Sequence, residues 1–303
     1  MGRIAAAFLV VVLIVIFGDL PGRWLFIAEL QNSAHVPAFG FLAALLLMLL
    51  RRSAACRHWS PLVRYLLAVA IATAVGAAIE VIQGVMHRDM SLEDVFHDFL
   101  GALVGTGLMY GYKWEPSSPL LRKVSIALAS LALPIALFPV AWSAAAYIHR
   151  DREFPVILQF GSPLDRYFLF DCAARTDLAK VEHSRLVVKF SPDCHRQIGV
   201  GEPYSNWSGY RHLNVDIANT ANSELQFTIR IEDTQHNQDY TDRFNETFVL
   251  RALERKTLII PLEALHRAPA TREMDMQKIY WMEIFGHEGS EGTQVALSRI
   301  WLD

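Results

Sequence analysis

Cysteine is scarce in this chain: three residues in 303, at Cys56, Cys172 and Cys194. There is no C-x-x-C and no second cysteine pair, which excludes a zinc ribbon and a disulfide-dense scaffold. Basic runs are missing too. The 28 Lys and Arg face 31 Asp and Glu for a net charge of −3, which argues against nucleic acid as a partner. No phosphate-cradling glycine loop, Ser-His-Asp elbow or glycosidase carboxylate pair is legible. Charge is also nearly absent from long stretches of the first half, which is rich in Ala, Leu, Val and Gly. From Ile148 onward charges recur regularly and hydrophobic residues alternate. The chain therefore reads as a membrane domain followed by one water-soluble domain.

Five apolar spans, approximately 4–20, 34–50, 63–87, 91–112 and 123–147, approach the roughly 20 residues a helix needs to cross a bilayer. The first resembles a signal peptide, but FGDLPGRW follows it in place of an A-x-A site, so it is read as an uncleaved anchor. Orientation comes from Lys and Arg in short connections. Arg3, then Arg51, Arg52, Arg57 and Arg64, then Lys113, Arg122 and Lys123 share one side, against Arg23 and Arg88 on the other. The N-terminus is then cytoplasmic, and five crossings place the C-terminal domain outside. Tyr110, Tyr112 and Trp114 at one boundary, and Trp142 and Tyr147 at the other, suit aromatic belts.

Polar residues gather at the outer ends of these spans. Glu80 and Gln83 in AVGAAIEVIQGVM are three apart, and Asp94 and Asp98 in SLEDVFHDFLGALVG are four apart, so each pair shares a helix face. The short connection around Arg88 makes the two helices an antiparallel hairpin, and His35 enters from the same side. A carboxylate near hydrocarbon is expensive unless paired, hydrated or protonated. The six residues His35, Glu80, Gln83, Arg88, Asp94 and Asp98 form either a network that locks the bundle or an outward-facing pocket for a polar head group. No cofactor is assigned; a divalent cation held by Asp94 and Asp98 is the one metal candidate. Glu93 and His97 fall on other helix faces. Gly101-x-x-x-Gly105, Gly107 and Gly76 permit close helix approach, and Pro134 and Pro139 are expected to kink the last span.

Glu80-x-x-Gln83, Arg88, Asp94, Asp98 and Gly101-x-x-x-Gly105, with His35 upstream, resemble the VanZ-like membrane family over roughly residues 4–112. Three positions depart from its pattern: Asn32 stands where the family has lysine, Asp98 where it has asparagine, and Val36 where it has phenylalanine. The resemblance implies an envelope-associated membrane protein, one member being linked to glycopeptide antibiotic resistance, with no established chemistry.

Beyond a linker at 148–154, LQFTIRI alternates strictly, and LVVKF, LNVDI, TLIIPL, IYWMEIF and VALSRIWL are further strand candidates. Many short strands between polar turns imply an antiparallel, jelly-roll-like sandwich over 155–303. Its pattern is similar to the galactose-binding-like jelly rolls of carbohydrate-binding modules. A sugar site needs an aromatic face and planar hydrogen-bonding groups. Trp207, Tyr210 and Tyr240 are candidates for the first, and Arg211, Asp233, His236, Arg243 and Asn245 for the second. The competing reading makes Trp207 a core residue and Asp233 to Asn245 a self-satisfied turn. Cys172 and Cys194 lie in the exported domain, where a bridge would close a loop of about twenty residues and contribute roughly 3 kcal/mol. Cys56 is expected in a cytoplasmic loop.

The fold expected is thus a polytopic domain of five transmembrane helices (1–147) followed by a periplasmic all-β sandwich. The expected function is a bacterial inner-membrane envelope protein. Its polar cluster would hold a lipid-linked or phosphorylated component and its sandwich a saccharide. The partners are then membrane lipids and a lipid-linked glycan or polysaccharide. Two alternatives stand beside it. One is a membrane enzyme acting on a lipid or its linked glycan, with Glu80 or Asp94 as general base and Arg88 as anion clamp. The other is an anchor for a protein-binding sandwich.

Overall fold

The computed structural model describes residues 24–86, 90–112, 118–171, 180–182, 185–189, 197–286 and 294–303. The chain forms two compact units, Met1–Ala144 and Ala145–Asp303.

The first unit is helical: α1 (Leu25–Arg52), α2 (Pro61–Val85), α3 (Leu92–Gly111) and α4 (Pro119–Glu153), whose end belongs to the second unit. Local chemistry sets these starts. The Ser60 hydroxyl accepts from the Val63 amide at 3.3 Å with Pro61 in the first turn, and Ser91 accepts from the Asp94 amide at 3.1 Å. Glu93 and Asp94 in the first turn of α3 favour its positive end. Among the described residues, α1, α2 and α4 are long and apolar enough to cross a membrane. Leu66, Val81, Leu120, Leu131 and Phe138 are exposed on these helices, as lipid-facing side chains would be. The interior is built from Phe39, Leu42, Tyr65, Ala68, Ala72 and Tyr110. The Tyr65 and Tyr110 rings meet edge-on at 5.6 Å, and the Tyr110 hydroxyl donates to the Pro61 carbonyl at 2.8 Å.

Glycine sets the helix spacing. A Cβ on Gly101 would overlap the Val36 backbone and one on Gly105 the Gly40 backbone, so α1 and α3 touch main chain to main chain and run parallel. Gly107 lies equally close to Ser125 and Ala129 of α4. The small-residue pattern is thus a packing device.

Two expectations change. The helix expected at 34–50 begins at Leu25, because helix formers continue upstream through polar residues that end a hydropathy window but not a helix. The linker expected at 148–154 is helical to Glu153; it holds neither Gly nor Pro until Pro155 stops it. Pro134 and Pro139 both lie inside α4. The span at 4–20, Arg88, Trp114, Cys172 and Cys194 lie outside the described residues.

The second unit is an antiparallel sandwich. One sheet has the order β3 (Lys180–Glu182), β4 (Arg185–Lys189), β11 (Gln294–Leu302), β6 (His212–Asn219), β9 (Arg255–Pro261), with β1 (Val156–Leu158) also paired to β11. The other has the order β2 (Leu169–Asp171), β5 (Gln197–Gly201), β10 (Ile279–Gly286), β7 (Leu225–Asp233), β8 (Phe244–Leu250). Alternation sends Leu213, Val215 and Ile217 of β6 against Leu225, Phe227, Ile229 and Ile231 of β7 in one core. The remaining faces of β7 and β10 carry Thr228, Arg230, Glu232, Trp281, Glu283 and Phe285. The last turns of α4 pack into this unit. Arg150 donates to the Glu202 carbonyl at 2.8 Å while its guanidinium lies over the Tyr147 ring, and His149 bonds Asp165 at 2.8 Å.

Candidate functional site

Helix register assembles the membrane cluster. On α1 and α3, Val36 is level with Gly101 and Gly40 with Gly105, so Ser33 falls level with Asp98 and Glu29 with Asp94. On the antiparallel pair α2 and α3, Gly76 is level with Asp98 and Gly84 with Met90, so Glu80 falls level with Asp94. His35 Nδ1 lies 2.8 Å from Asp98 Oδ1, and Asp98 is 1% exposed. Glu80, 4% exposed, accepts the Ser91 amide at 2.9 Å through Oε2. Gln83 is buried beside it on α2. The second oxygen of Asp98, Oε1 of Glu80 and Oδ1 of Asp94 are buried with no hydrogen-bond partner, as is the Ser33 hydroxyl. His97 is also buried, and its Nδ1 bonds the Glu93 carbonyl of its own helix at 2.9 Å. Glu29 and Ser33 escaped the sequence reading because hydropathy placed them before the helix. Among the described residues, no three His, Cys, Asp or Glu gather as a metal site.

At the opposite end of the same helices lie Arg51, Arg52, Arg64 and Arg122. Arg64 donates to the Arg57 and Trp59 carbonyls at 2.9 and 3.0 Å, and Arg122 to the Gly111 carbonyl at 3.1 Å. Acids gather at one end of the unit and arginines at the other.

In the sandwich the eight sugar candidates scatter. Trp207 is fully buried and donates to the Tyr204 carbonyl at 2.7 Å, which leaves no ring face for a ligand. Tyr210 stacks edge-on against Phe154, and the Arg211 backbone pairs with Asp303. Asp233 is clamped. Arg272 donates to both its oxygens at 2.6 and 2.8 Å, and to both oxygens of Asp242 at 2.6 and 3.1 Å. Burial pushes the Asp233 carboxyl up, but Arg272 and the Asp275 and Gln235 amides outweigh it and hold it below the usual carboxylate range. The Arg272 hydrogen bonds hold Asp242 low as well, and the two carboxylates raise the Arg272 guanidinium. His236 joins this turn, Nδ1 to the Asp242 carbonyl at 3.0 Å, with Nε2 3.3 Å from Glu232. The stretch from Asp233 is therefore bonded to itself and to Arg272.

Tyr240, Arg243 and Asn245 do come together. They line an open cleft of about 530 Å³ beside β8, together with Ala264, Ala268 and Ala270. The Tyr240 ring is exposed with the Arg243 guanidinium 5.1 Å from its centre. Arg243 Nε and Asn245 Oδ1 are buried with no hydrogen-bond partner among the described residues, while Asn245 Nδ2 donates to the Tyr240 carbonyl. Register carries this cleft onto the outer face of the sheet, since Asn245 pairs with Arg230, and Arg230 with Glu283. Arg230 bridges Glu232 at 2.6 Å and Glu283 at 3.3 Å. Burial raises the Glu283 carboxyl, with the Arg230 charge opposing. Burial, then the Arg230 charge, lowers the Arg243 guanidinium. Beyond them the half-buried Trp281 lies over Gly199 and Gly201, where any Cβ would strike its ring, and packs against Phe170 at 5.1 Å. Sequence reasoning missed Phe170, Arg230, Glu232, Trp281 and Glu283, although alternation in IYWMEIF places Trp281 and Glu283 off the core face.

No curated protein sequence matches the chain. Among solved structures, an exo-beta-agarase is 11% identical with a TM-score of 0.36, covering 49% of this chain and 24% of that one. A family 11 carbohydrate-binding module from Clostridium thermocellum, in complex with a beta-1,3-1,4-mixed-linked tetrasaccharide, is 13% identical with a TM-score of 0.30, covering 44% of this chain and 80% of that one. A family 29 carbohydrate-binding module from Piromyces equi is 13% identical with a TM-score of 0.31, covering 48% and 87%. The matched part spans about a quarter of the agarase. The VanZ/LLP1 family matches residues 4–113, the stretch that holds α1 to α3 and every described member of the membrane cluster, so this part of the chain is VanZ-like.

Proposed function

We propose that this is an inner-membrane protein of the bacterial envelope that binds a saccharide through the outer face and β8 edge of its sandwich. Its membrane cluster then holds the head group of a lipid-linked envelope component. The carrying observation is the cleft of Tyr240, Arg243 and Asn245. There an exposed ring lies beside the Arg243 guanidinium and the Asn245 side-chain amide along one open cleft. A pyranose face stacks on an aromatic ring and its hydroxyls both donate and accept, so a ring with a guanidinium and an amide beside it is the residue set a sugar unit needs. Trp281 offers a second ring further along the sheet, with Arg230 and the Glu232–Glu283 pair between.

Orientation follows from charge. The arginine-rich end of the helices faces the cytoplasm by the positive-inside rule, which puts the acidic cluster and the sandwich outside. That reading needs five crossings, with 4–20 and α3 added to the three apolar helices.

The test uses full-length protein in nanodiscs, titrated with a panel of neutral and anionic oligosaccharides by calorimetry. Saccharide binding weakened about tenfold or more by Tyr240→Ala, with unchanged elution and melting, supports the reading; each tenfold is about 1.4 kcal/mol. Absence of binding to any saccharide, or binding indifferent to both Tyr240→Ala and Trp281→Ala, removes it.

A further inference from the structure

The membrane cluster is unbalanced in a specific way. Of its acidic oxygens, Asp98 Oδ1 meets His35 and Glu80 Oε2 meets the Ser91 amide. One oxygen each on Glu80, Asp94 and Asp98 is buried with nothing to accept from, on residues 4% and 1% exposed in the case of Glu80 and Asp98. Glu80 and Asp94 act electrostatically on Asp98, and all three carboxylates act on His35. A buried acceptor left unsatisfied costs about 1–3 kcal/mol, more when it is charged. Among the described residues, the shortage here is of hydrogen-bond donors carrying positive charge.

Against these described residues the phosphate half of a head group is the poorer guest, because it brings more negative charge and only acceptors. A metal ion lacks its ligand set among the described residues. A primary ammonium has the opposite character: a compact positive charge with three N–H donors and no acceptor. We propose that His35, Glu80, Asp94 and Asp98 form a site for a primary ammonium group, carried by an aminolipid head or by a water-soluble amine of the envelope. The proposal rests on reading the cluster as a head-group site and names the end of the head group that enters. His35 positions Asp98, and Gly76 supplies the room for its carboxylate.

The test is lipid retention by native mass spectrometry. Delipidated full-length protein in detergent is offered equal amounts of phosphatidylethanolamine, phosphatidylcholine and phosphatidylglycerol, and separately ethanolamine and choline. Ethanolamine and choline heads carry the same charge but only the first donates N–H bonds. Retention of phosphatidylethanolamine over phosphatidylcholine by about tenfold, lost in Glu80→Gln and Asp98→Asn proteins that elute as the parent does, supports the lipid amine. Ethanolamine bound over choline with no lipid preference supports the soluble amine. Preferred phosphatidylglycerol overturns the ammonium proposal and leaves a head-group site standing. No preference among lipids or soluble heads overturns both. Should the variants fail to fold, the ethanolamine–choline comparison on the unaltered protein still decides.

Discussion

The carboxylate of Asp98 stands where Gly76 has no side chain. A Cβ on Gly76 would overlap it, so a glycine on α2 makes the space for an acid on α3, which His35 of α1 then holds. Gly76→Ala is expected to displace Asp98 and break the His35 bond, lowering the melting temperature of the full-length protein by several degrees. Overpacking of this kind costs about 1–3 kcal/mol. Gly84→Ala is the control. Its Cβ would meet only the flexible Met90 side chain, and its melting should stay close to the parent's.

Arg272 joins two loops of the sandwich through Asp233 and Asp242, whose side chains are 0% and 4% exposed. Arg272→Met leaves both acids buried and unpaired, and is expected to destabilise the sandwich by about 3 kcal/mol or more. The pH dependence follows from both acids being held low. A depressed native value means the ionised form favours the fold. This stability is complete above the unfolded value of about 3.9 and is lost as pH falls through the native one. Melting followed by tryptophan fluorescence should therefore drop on acidification in the parent. In Arg272→Met the drop should flatten, because protonation then relieves the stranded pair. An unchanged acid limb would show that the clamp does not set it.

Trp281 depends on Gly199, where a Cβ would come within 2.5 Å of its ring. Gly199→Ala is expected to tilt the indole, change its emission and weaken saccharide binding about tenfold while the sandwich stays folded. Trp281→Ala should weaken binding at least as much. Undiminished binding in both would confine the saccharide to the Tyr240 cleft.

Much of this architecture was legible because its signals are periodic. Alternation in LQFTIRI gave β7, IYWMEIF stood out as a strand candidate for β10, and the 101–105 glycine spacing gave a close helix approach, whose partner the structure identifies as α1. The depth of His35, Glu80, Asp94 and Asp98 followed from counting along helices. What escaped depends on contacts distant in sequence. The self-satisfied turn from Asp233 to Asn245 was one of two readings the sequence offered, but nothing near Asp233 announces that Arg272 neutralises it. For Trp207 the sequence offered a core residue or a sugar platform, and the Tyr204 carbonyl and the surrounding core decide for the first. Gly199 and Gly201 in QIGVG gave no hint that an indole lies on them. Short strands such as β1 and β2 carry three residues each, too few for alternation to register.

The orientation of the whole chain rests on one asymmetry, arginines at one end of the helical unit and acids at the other, and cysteine chemistry tests it directly. Cys56 is a free thiol, partly exposed, beside Arg52 and Arg57 in the turn between α1 and α2. Gly161 has open space where a side chain would project, so Gly161→Cys places a thiol on the sandwich without strain. In a Cys172→Ser, Cys194→Ser background, a maleimide that passes the outer membrane but not the inner should label Gly161→Cys in intact cells. It should reach Cys56 only after the inner membrane is opened. The reverse pattern would put the sandwich in the cytoplasm, and the acidic cluster with it. An ammonium site would then draw on the inner leaflet, and a saccharide-binding face would have no envelope glycan to meet.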